Sequence, residues 1–326
     1  MRTIDVFNGD ADGLCALQQL RLAQPAEAEL VTGRKREIDL LSRVVAGPDA
    51  RVTVLDLSLD RNRAALDRLL AAGASVRYID HHRASARPVH PRLELHIEAA
   101  PDTCTSLIVD RLLGGRAARW ALVGAYGDNL AAAADARAQA LGLPAARAAQ
   151  LAELGTALNY NAYGDSDADL AIHPRALFLR LRPYADPFEF IAREPIVAML
   201  IAHRRADLAR AAALEPAASC AHCAVFELPD APWARRVQGT FAHQLARAAP
   251  QRAHAVLRLR ADGGYAVSLR APLARPSGAD ALARRFGGGG RAGAAGIDAL
   301  PAGRRAELVA ALCAMWDGGA APPAPA

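Results

Sequence analysis

Short apolar runs alternate with helical stretches along residues 1–130. Each run has the length of a buried strand, and a stretch with helical periodicity follows it. The runs are IDVF at 4–7, AELV at 28–31, VTVLDL at 52–57 and VRYID at 76–80, with helices predicted from about Gly13, from about Glu37, at 61–72 and near Asp102. This alternation predicts an α/β fold built on a parallel sheet.

Residues 131–215 are rich in alanine and are predicted to be mostly helical, and β-like runs return after residue 216. Those runs are AVFEL, AHAVLRLR and YAVSLRAP, and a helix at about 280–286, a glycine run and a last helix at 303–316 follow them. Because single cores stop growing at about 250–300 residues, 326 residues predict two domains. We expect a parallel-sheet domain at 1–200, a helical connector at 201–215, a smaller α/β domain with a mixed sheet at 216–318 and a loose tail at 319–326.

The composition is that of a globular protein. Hydrophobic residues make up 52% and charged residues 22% of the chain, which is too apolar for disorder and too evenly charged for a membrane protein. No apolar run reaches the roughly 18 residues of a spanning helix, and the N-terminal sequence lacks the apolar core of a signal peptide. We therefore expect a cytoplasmic protein without a membrane partner.

Cysteine and charge add little by themselves. Five scattered cysteines do not have the spacing of a disulfide framework, so we expect reduced thiols, including the pair in Cys220-Ala221-His222-Cys223. The net charge is +5, and Lys35 is the single lysine among 39 basic residues. Arginine suits phosphate recognition, but an alanine-rich, lysine-poor chain is also typical of a GC-rich genome.

Acidic residues follow the predicted strands at the ends where ligands bind in open α/β sheets. The converging residues are Asp10, Asp12, Asp56, Asp80, His81, His82 and, after the apolar stretch ALVGAYG, Asp128. Clustered carboxylates repel one another unless cations hold them. Carboxylate and imidazole ligands suit Mn²⁺ or Mg²⁺, and two such ions about 3.5–4 Å apart can clamp the oxygens of a phosphoryl displacement. The pattern predicts a two-metal phosphoesterase site.

The motifs that carry these residues resemble the DHH phosphoesterase superfamily. They are NGDADG at 8–13, VLDLS at 54–58, IDHH at 79–82 and GAYGDN at 124–129. VSLRAP at 267–272 and RRFGGGGRAGAAGI at 284–297 resemble the DHH-associated C-terminal domain, so the resemblance spans nearly the whole chain in order. It implies a hydrolase of phosphoester bonds, in a superfamily with nucleases, nano-RNases, cyclic dinucleotide phosphodiesterases, pyrophosphatases and exopolyphosphatases.

The resemblance also implies roles for single residues. Asp10 and Asp128 would bind one cation, Asp12 and His81 would bind the other, and Asp56 would bridge the two. Mn²⁺ is the expected metal, and Mg²⁺ is the alternative.

Two further residues of the DHH triplet have implied roles, and two positions depart from the family pattern. His82 would contact the scissile phosphate, and Asp80 would orient a neighbouring histidine. Val6 stands where some relatives carry a metal-binding histidine, and valine cannot ligate a metal. Asn8 stands where others have aspartate or histidine, and its amide oxygen is a candidate weak ligand.

The C-terminal motifs imply a substrate site. Arg270 matches a family position that faces nucleic acid across the interdomain cleft, and Gly288, Gly289 and Gly290 would offer backbone N–H groups to an anion. Arg291 replaces a histidine that is common in the family, and its guanidinium still suits phosphate.

The expected activity is hydrolysis of short single-stranded nucleic acids or linear dinucleotides to 5′-mononucleotides by a protein that could be a homodimer. The alternatives are a pyrophosphatase or exopolyphosphatase, and a catalytically silent nucleotide sensor. Two polar segments stay outside the predicted site: Gly33–Arg36 is either a phosphate-attracting patch or a solvated loop, and Asn159–Asp165 either lines the cleft or, as we favour, ends a surface helix.

Overall fold

The computed structural model of the protein describes residues 1–317, so the predicted tail at 319–326 lies outside the described residues. The chain divides into two compact units, Met1–His203 and a second unit that begins at Arg204. One β-sheet lies in each unit, and the predicted α/β class is confirmed.

The first unit contains a five-stranded parallel sheet with the strand order β2-β1-β3-β4-β5. Its strands are β1 (Arg2–Asn8), β2 (Glu29–Gly33), β3 (Ala50–Leu55), β4 (Ser75–Asp80) and β5 (Leu93–Ile97). In register, Val6 of β1 lies beside Val31 of β2 and Val54 of β3. Because all five strands are parallel, their carboxyl ends meet at one edge.

The first unit also contains the helices α1 (Ala11–Ala23), α2 (Leu59–Ala71), α3 (Thr105–Leu112), α4 (Ala118–Gly127), α5 (Ala131–Ala140), α6 (Ala145–Asn161), α7 (Pro174–Leu181) and α8 (Pro187–Arg193), with 3₁₀ turns at Leu40–Arg43 and Asp167–Asp169. The helix α9 (Pro195–Ala212) begins in the first unit and ends in the second. Alternate residues of β1 belong to two separate hydrophobic cores. Phe7 packs with Leu14 and Trp120 in one core, and Val6 packs with Leu66 in the other. Within residues 1–317 no helix is long and apolar enough to cross a membrane.

One local prediction for this unit is wrong, and two elements were not predicted. The helix expected from Glu37 is only the 3₁₀ turn Leu40–Arg43, and the missed elements are β5 and α4. The apolar stretch before Asp128 forms α4, whose residues are almost all buried. A helix buried on every side has no amphipathic period, so its sequence resembles that of a buried strand.

The second unit contains a six-stranded mixed sheet with the order β10-β11-β9-β8-β7-β6, in which β7 and β8 are parallel. Its elements are β6 (Ala218–Ser219), β7 (Cys223–Leu228), α10 (Pro232–Ala248), β8 (Ala253–Leu259), β9 (Tyr265–Arg270), α11 (Ala279–Arg285), β10 (Gly289–Arg291), β11 (Ala294–Leu300) and α12 (Arg305–Asp317). Apolar side chains from both faces form its core, with Leu269 and Leu282 on one side and Val256 and Phe241 on the other.

The expectation of reduced thiols is wrong for one pair. Cys220 and Cys223 form a disulfide that joins the turn after β6 to the first residue of β7, and their Cα atoms lie 5.2 Å apart. The Sγ atom of Cys313 on α12 lies 3.3 Å from the Sγ atom of Cys223. Cys15 and Cys104 are buried free thiols, as expected.

Candidate active site

The carboxyl edge of the parallel sheet brings the predicted acidic residues together. Asp10 and Asp12 follow β1, Asp56 follows β3, and Asp80 ends β4. These four residues are at most 2% exposed. Asp128, the fifth, follows the C-terminal end of α4 rather than a strand.

Two helix N-termini hold the first two carboxylates. Asp10 caps α1, because its Oδ1 atom accepts hydrogen bonds from the N–H groups of Asp12 and Gly13 at 3.0 and 3.1 Å. Asp12 accepts the N–H groups of Thr105 and Ser106, both at 2.7 Å, in the first turn of α3. Backbone N–H groups at helix starts attract carboxylate oxygens, so these contacts fix the positions of both side chains.

Asp56 and His81 lie at the centre of the cluster. Asp56 has a backbone φ of 57°, which is uncommon for a residue with a side chain and costs on the order of 1–3 kcal/mol. His81 Nε2 lies 3.4 Å from Asp56 Oδ1 and 3.7 Å from Asp128 Oδ2. The Thr105 hydroxyl donates to Asp56 Oδ1 at 3.3 Å. The strained backbone therefore directs a carboxylate between its acidic neighbours.

The protein alone does not neutralise this cluster. Burial, followed by the charges of Asp10 and Asp12, raises the pKa of Asp56 well above its ordinary value. Burial and Asp12 raise the pKa of Asp128 to about 6. Buried like charges disfavour ionisation in this way unless a cation balances them.

His82 lies beside the cluster and pairs with Asp80. Its Nδ1 atom lies 2.7 Å from Asp80 Oδ1. Burial alone would lower the pKa of His82, but the hydrogen bond and charge of Asp80 raise it above the ordinary value. Asp80 therefore contacts His82 rather than His81, and Nε2 of His82 remains directed away from that bond.

The ligand chemistry fits a hard divalent cation. Candidate ligand atoms of Asp12, His81 and Asp128 lie within 4.8 Å of one another, and so do those of Asp56, His81 and His82. Carboxylate oxygens with imidazole nitrogens are the donors that Mn²⁺ accepts well. Asp10, predicted as a ligand, belongs to neither group in the described part of the chain.

The sequence prediction missed Lys35 and Asn159. Lys35 Nζ forms an ion pair with Asp10, lies 3.6 Å from Asp128 Oδ1 and donates to Asn159 Oδ1 at 3.0 Å. Burial alone would raise the pKa of Asp10, but the adjacent ammonium group lowers it below its ordinary value. The available signal was that Lys35 is the single lysine of the chain.

No protein-family model matches the chain, and no curated protein matches it in sequence. Solved structures match it in fold. A RecJ exonuclease bound to manganese matches with a TM-score of 0.63 and 20% identity, over 99% of this chain and 91% of that one. PggH, a pGpG-specific phosphodiesterase from Vibrio cholerae, matches with a TM-score of 0.59 and 14% identity, over 98% of this chain and 100% of that one. The chain has the DHH phosphoesterase fold.

The DHH fold accounts for the order of the motifs, and the predicted fold resemblance is confirmed. RecJ from Thermus thermophilus in complex with Mn²⁺ matches with a TM-score of 0.63 and 22% identity. That match covers 98% of this chain and 53% of the longer RecJ chain. At such identities the likeness concerns the fold, and the roles of single residues stay predictions.

The predicted substrate residues of this DHH-fold chain lie together in the second unit. Arg270 on β9 and Arg291 on β10 both pair in register with Ala294 on β11, between them. Gly289 and Gly290 belong to β10, an edge strand, so the glycine run expected as a loop is partly a strand. Gly288 precedes it, where a Cβ atom would lie 2.2 Å from the carbonyl oxygen of Gly296. The two arginines therefore belong to the strands on either side of β11, at one level of the sheet.

Proposed function

We propose that the chain is a divalent-metal-dependent phosphodiesterase that hydrolyses short single-stranded oligonucleotides or linear dinucleotides to 5′-mononucleotides. The observation that carries the proposal is the convergence of Asp12, His81 and Asp128, whose ligand atoms lie within 4.8 Å of one another, with buried Asp56 3.4 Å from His81. The likeness to a pGpG-specific phosphodiesterase over nearly all of both chains supports the dinucleotide substrate.

Asp12, Asp56, His81 and Asp128 would hold the cation. Manganese is the first choice because the matching RecJ structures contain it, and Mg²⁺ is the alternative, as in another RecJ structure. When bound, such a cation lowers the pKa of water and balances charge on a phosphoryl group. The protein contributes rigid placement, since the start of α3 fixes both oxygens of Asp12.

His82 would stabilise the substrate phosphate. Asp80 holds its Nδ1 atom and raises its pKa, which favours the imidazolium form. The Nε2–H group can then donate to a phosphate oxygen as negative charge develops during in-line attack. Asp80 acts through His82 and is a positioning residue in this scheme.

The second unit would bind the phosphate backbone of the substrate. Arg270 and Arg291 provide paired positive charge, and the edge strand β10 provides glycine backbone with little steric cover. Aromatic residues make up only 5% of the chain, so we expect recognition through phosphate more than through base stacking.

A substrate panel tests the proposal. Purified protein with Mn²⁺ is given 5′-phosphorylated dinucleotides, longer oligonucleotides, pyrophosphate and polyphosphate. We expect 5′-mononucleotides from the dinucleotides, and a loss of about 100-fold or more in Asp56→Asn. Asp67→Asn, an exposed change on α2, is the matched control and keeps activity.

Two results would overturn the proposed activity. Phosphate release from pyrophosphate or polyphosphate alone would assign the chain to polyphosphate chemistry. Metal-dependent nucleotide binding without turnover of any substrate would indicate a nucleotide sensor.

A further inference from the structure

Lys35 is fixed at the site by its backbone. It follows β2, and its N–H group donates to the carbonyl oxygen of Ala162 at 3.0 Å. Its own carbonyl oxygen accepts the Asn8 side-chain amide at 3.3 Å. Anchors from the segment after α6 and from the end of β1 therefore hold the lysine beside the carboxylates.

The ammonium group of Lys35 lies among three oxygen acceptors. It pairs with Asp10, donates to Asn159 Oδ1 at 3.0 Å and lies 3.6 Å from Asp128 Oδ1. An ammonium group has three N–H donors and no acceptor, so these three oxygens match its capacity. Asp10 and Asp128 are also the two residues predicted to share one of the two cations.

Asp10 has its own partners on both oxygens. Oδ1 caps α1 through the N–H groups of Asp12 and Gly13, and Oδ2 faces Lys35. Of the three candidate ligand groups in the described residues, the two in the first unit contain Asp12, Asp56, His81, His82 and Asp128, and none of the three contains Asp10.

The positions that could complete a second metal site make other contacts. Val6 is fully buried in the apolar core with Val54 and Leu66. Asn8 accepts the Asp10 N–H group with Oδ1 at 3.2 Å and donates to the Lys35 carbonyl oxygen with its amide nitrogen, so its amide is used within the protein. The expected weak ligand at Asn8 therefore already has a partner within the protein at both amide atoms.

The type of residue at position 35 matters as well as its contacts. Lysine and arginine together number 39, and the one lysine stands at this site. A compact ammonium group is a point charge on a flexible stem, whereas a guanidinium group is a wide planar fork. The ammonium group is therefore compact enough to fit between two carboxylates, in the place that a small cation would take.

Building on the proposed metal-dependent activity, we propose that the Lys35 ammonium group takes the place of one of the two predicted cations. The chain then binds a single divalent ion, held by Asp12, Asp56, His81 and Asp128, and Lys35 keeps Asp10 and Asp128 in position beside it.

Manganese stoichiometry tests the proposal without an activity assay. The metal-free protein is titrated with Mn²⁺ by equilibrium dialysis, and its electron paramagnetic resonance spectrum shows whether bound ions are magnetically coupled. We expect one uncoupled Mn²⁺ per chain in the wild type and two coupled ions in Lys35→Met. Arg36→Met removes an exposed positive charge from the adjacent position and is the matched control, with one ion.

Asp10→Asn provides a second variant in case Lys35→Met fails to fold, because asparagine also caps helices. It should keep one bound ion with an affinity within about threefold of the wild type, since Asp10 is not a ligand in this scheme. Two coupled ions in the wild type, or one ion in a folded Lys35→Met, would overturn the role of Lys35 alone. No bound Mn²⁺ in the wild type would overturn the metal-dependent function together with it.

Discussion

At the residue scale, Asp56 shows a conflict between stability and function. Its backbone lies in the left-handed region, and its carboxylate is buried among other acids that raise its pKa well above the ordinary value. An acid whose pKa is higher in the folded than in the unfolded state lowers stability at neutral pH, where the unfolded chain ionises it freely. The residue is therefore costly in the metal-free protein.

Asp56→Asn should stabilise the metal-free protein. The change removes one buried like charge and keeps the shape, and asparagine tolerates a positive φ. We expect the free energy of unfolding in EDTA at pH 7 to rise by about 1–2 kcal/mol and the stabilisation by Mn²⁺ to disappear. Urea unfolding with and without Mn²⁺ measures both effects, and a fall in metal-free stability would contradict the account.

Gly124 on α4 shows how closely the helices approach the site. A Cβ atom there would lie 2.2 Å from Ser106 Oγ and 3.3 Å from Asp12 Oδ1. We expect Gly124→Ala to lower the free energy of unfolding by about 1–3 kcal/mol and to weaken Mn²⁺ binding, because Ser106 and Asp12 must shift.

The matched control for that change is Gly239→Ala on α10, where nothing lies within 4 Å of the new Cβ atom. There alanine should raise the stability by about 0.5–1 kcal/mol through its helix propensity. Thermal unfolding and Mn²⁺ titration compare the two variants. Equal effects would mean that Gly124 has no steric role.

The site was predictable from sequence where strand ends carry its residues. Asp12, Asp56 and His81 follow parallel strands, and the topology of the sheet brings them together. Lys35 was not predictable in the same way, because its contacts to Asp10 and Asn159 join segments distant in sequence. Asp10 was placed correctly at the edge, but its partners depend on that lysine.

At the element scale, β8 carries a buried histidine. His254 is 2% exposed, and its Nδ1 atom has no hydrogen-bond partner within residues 1–317. Burial, followed by the charge of Arg252, lowers its pKa to about 4 from an ordinary value of 6.5. The folded state therefore favours the neutral ring.

This shift predicts acid sensitivity. The stability that neutral His254 provides is complete above pH 6.5 and falls as the pH drops toward 4, because the unfolded chain takes up the proton first. Between about pH 7.5 and pH 4.5, we expect the free energy of unfolding of His254→Gln to fall by about 2 kcal/mol less than that of the wild type. Urea unfolding at the two pH values measures it, with exposed His203→Gln as control. Identical losses in His254→Gln and the wild type would contradict the assigned pKa.

The elements themselves divide into those that a local pattern determines and those that it does not. β1, β3 and β4 are apolar runs bounded by polar residues and lie close to their predicted positions. By contrast, α4 is buried on nearly all sides and β10 contains glycines that form a strand only by pairing with β11. Tertiary contacts determine the secondary structure of such segments, so the local sequence does not predict it.

At the scale of the whole molecule, the four metal-site motifs come from distant parts of the first unit. A cation that binds only the folded state stabilises it by about 2.7 kcal/mol at 100 times its dissociation constant. We expect Mn²⁺ to slow amide hydrogen exchange at 8–13, 54–58, 79–82 and 124–129 and to leave β7, β8 and β9 of the second unit unchanged. Mass spectrometry measures this exchange, and protection of the second unit alone would contradict the placement of the metal site.

Hydrolysis in ¹⁸O-labelled water tests the central claim most directly. EDTA-treated protein receives a 5′-phosphorylated dinucleotide, and Mn²⁺ is then restored. The account predicts no product before the metal is added, followed by 5′-mononucleotide whose newly formed phosphate carries one oxygen from water, because the attack occurs at phosphorus. Cleavage that proceeds equally in EDTA, or the absence of cleavage while Mn²⁺ is bound, would contradict a metal-dependent phosphodiesterase.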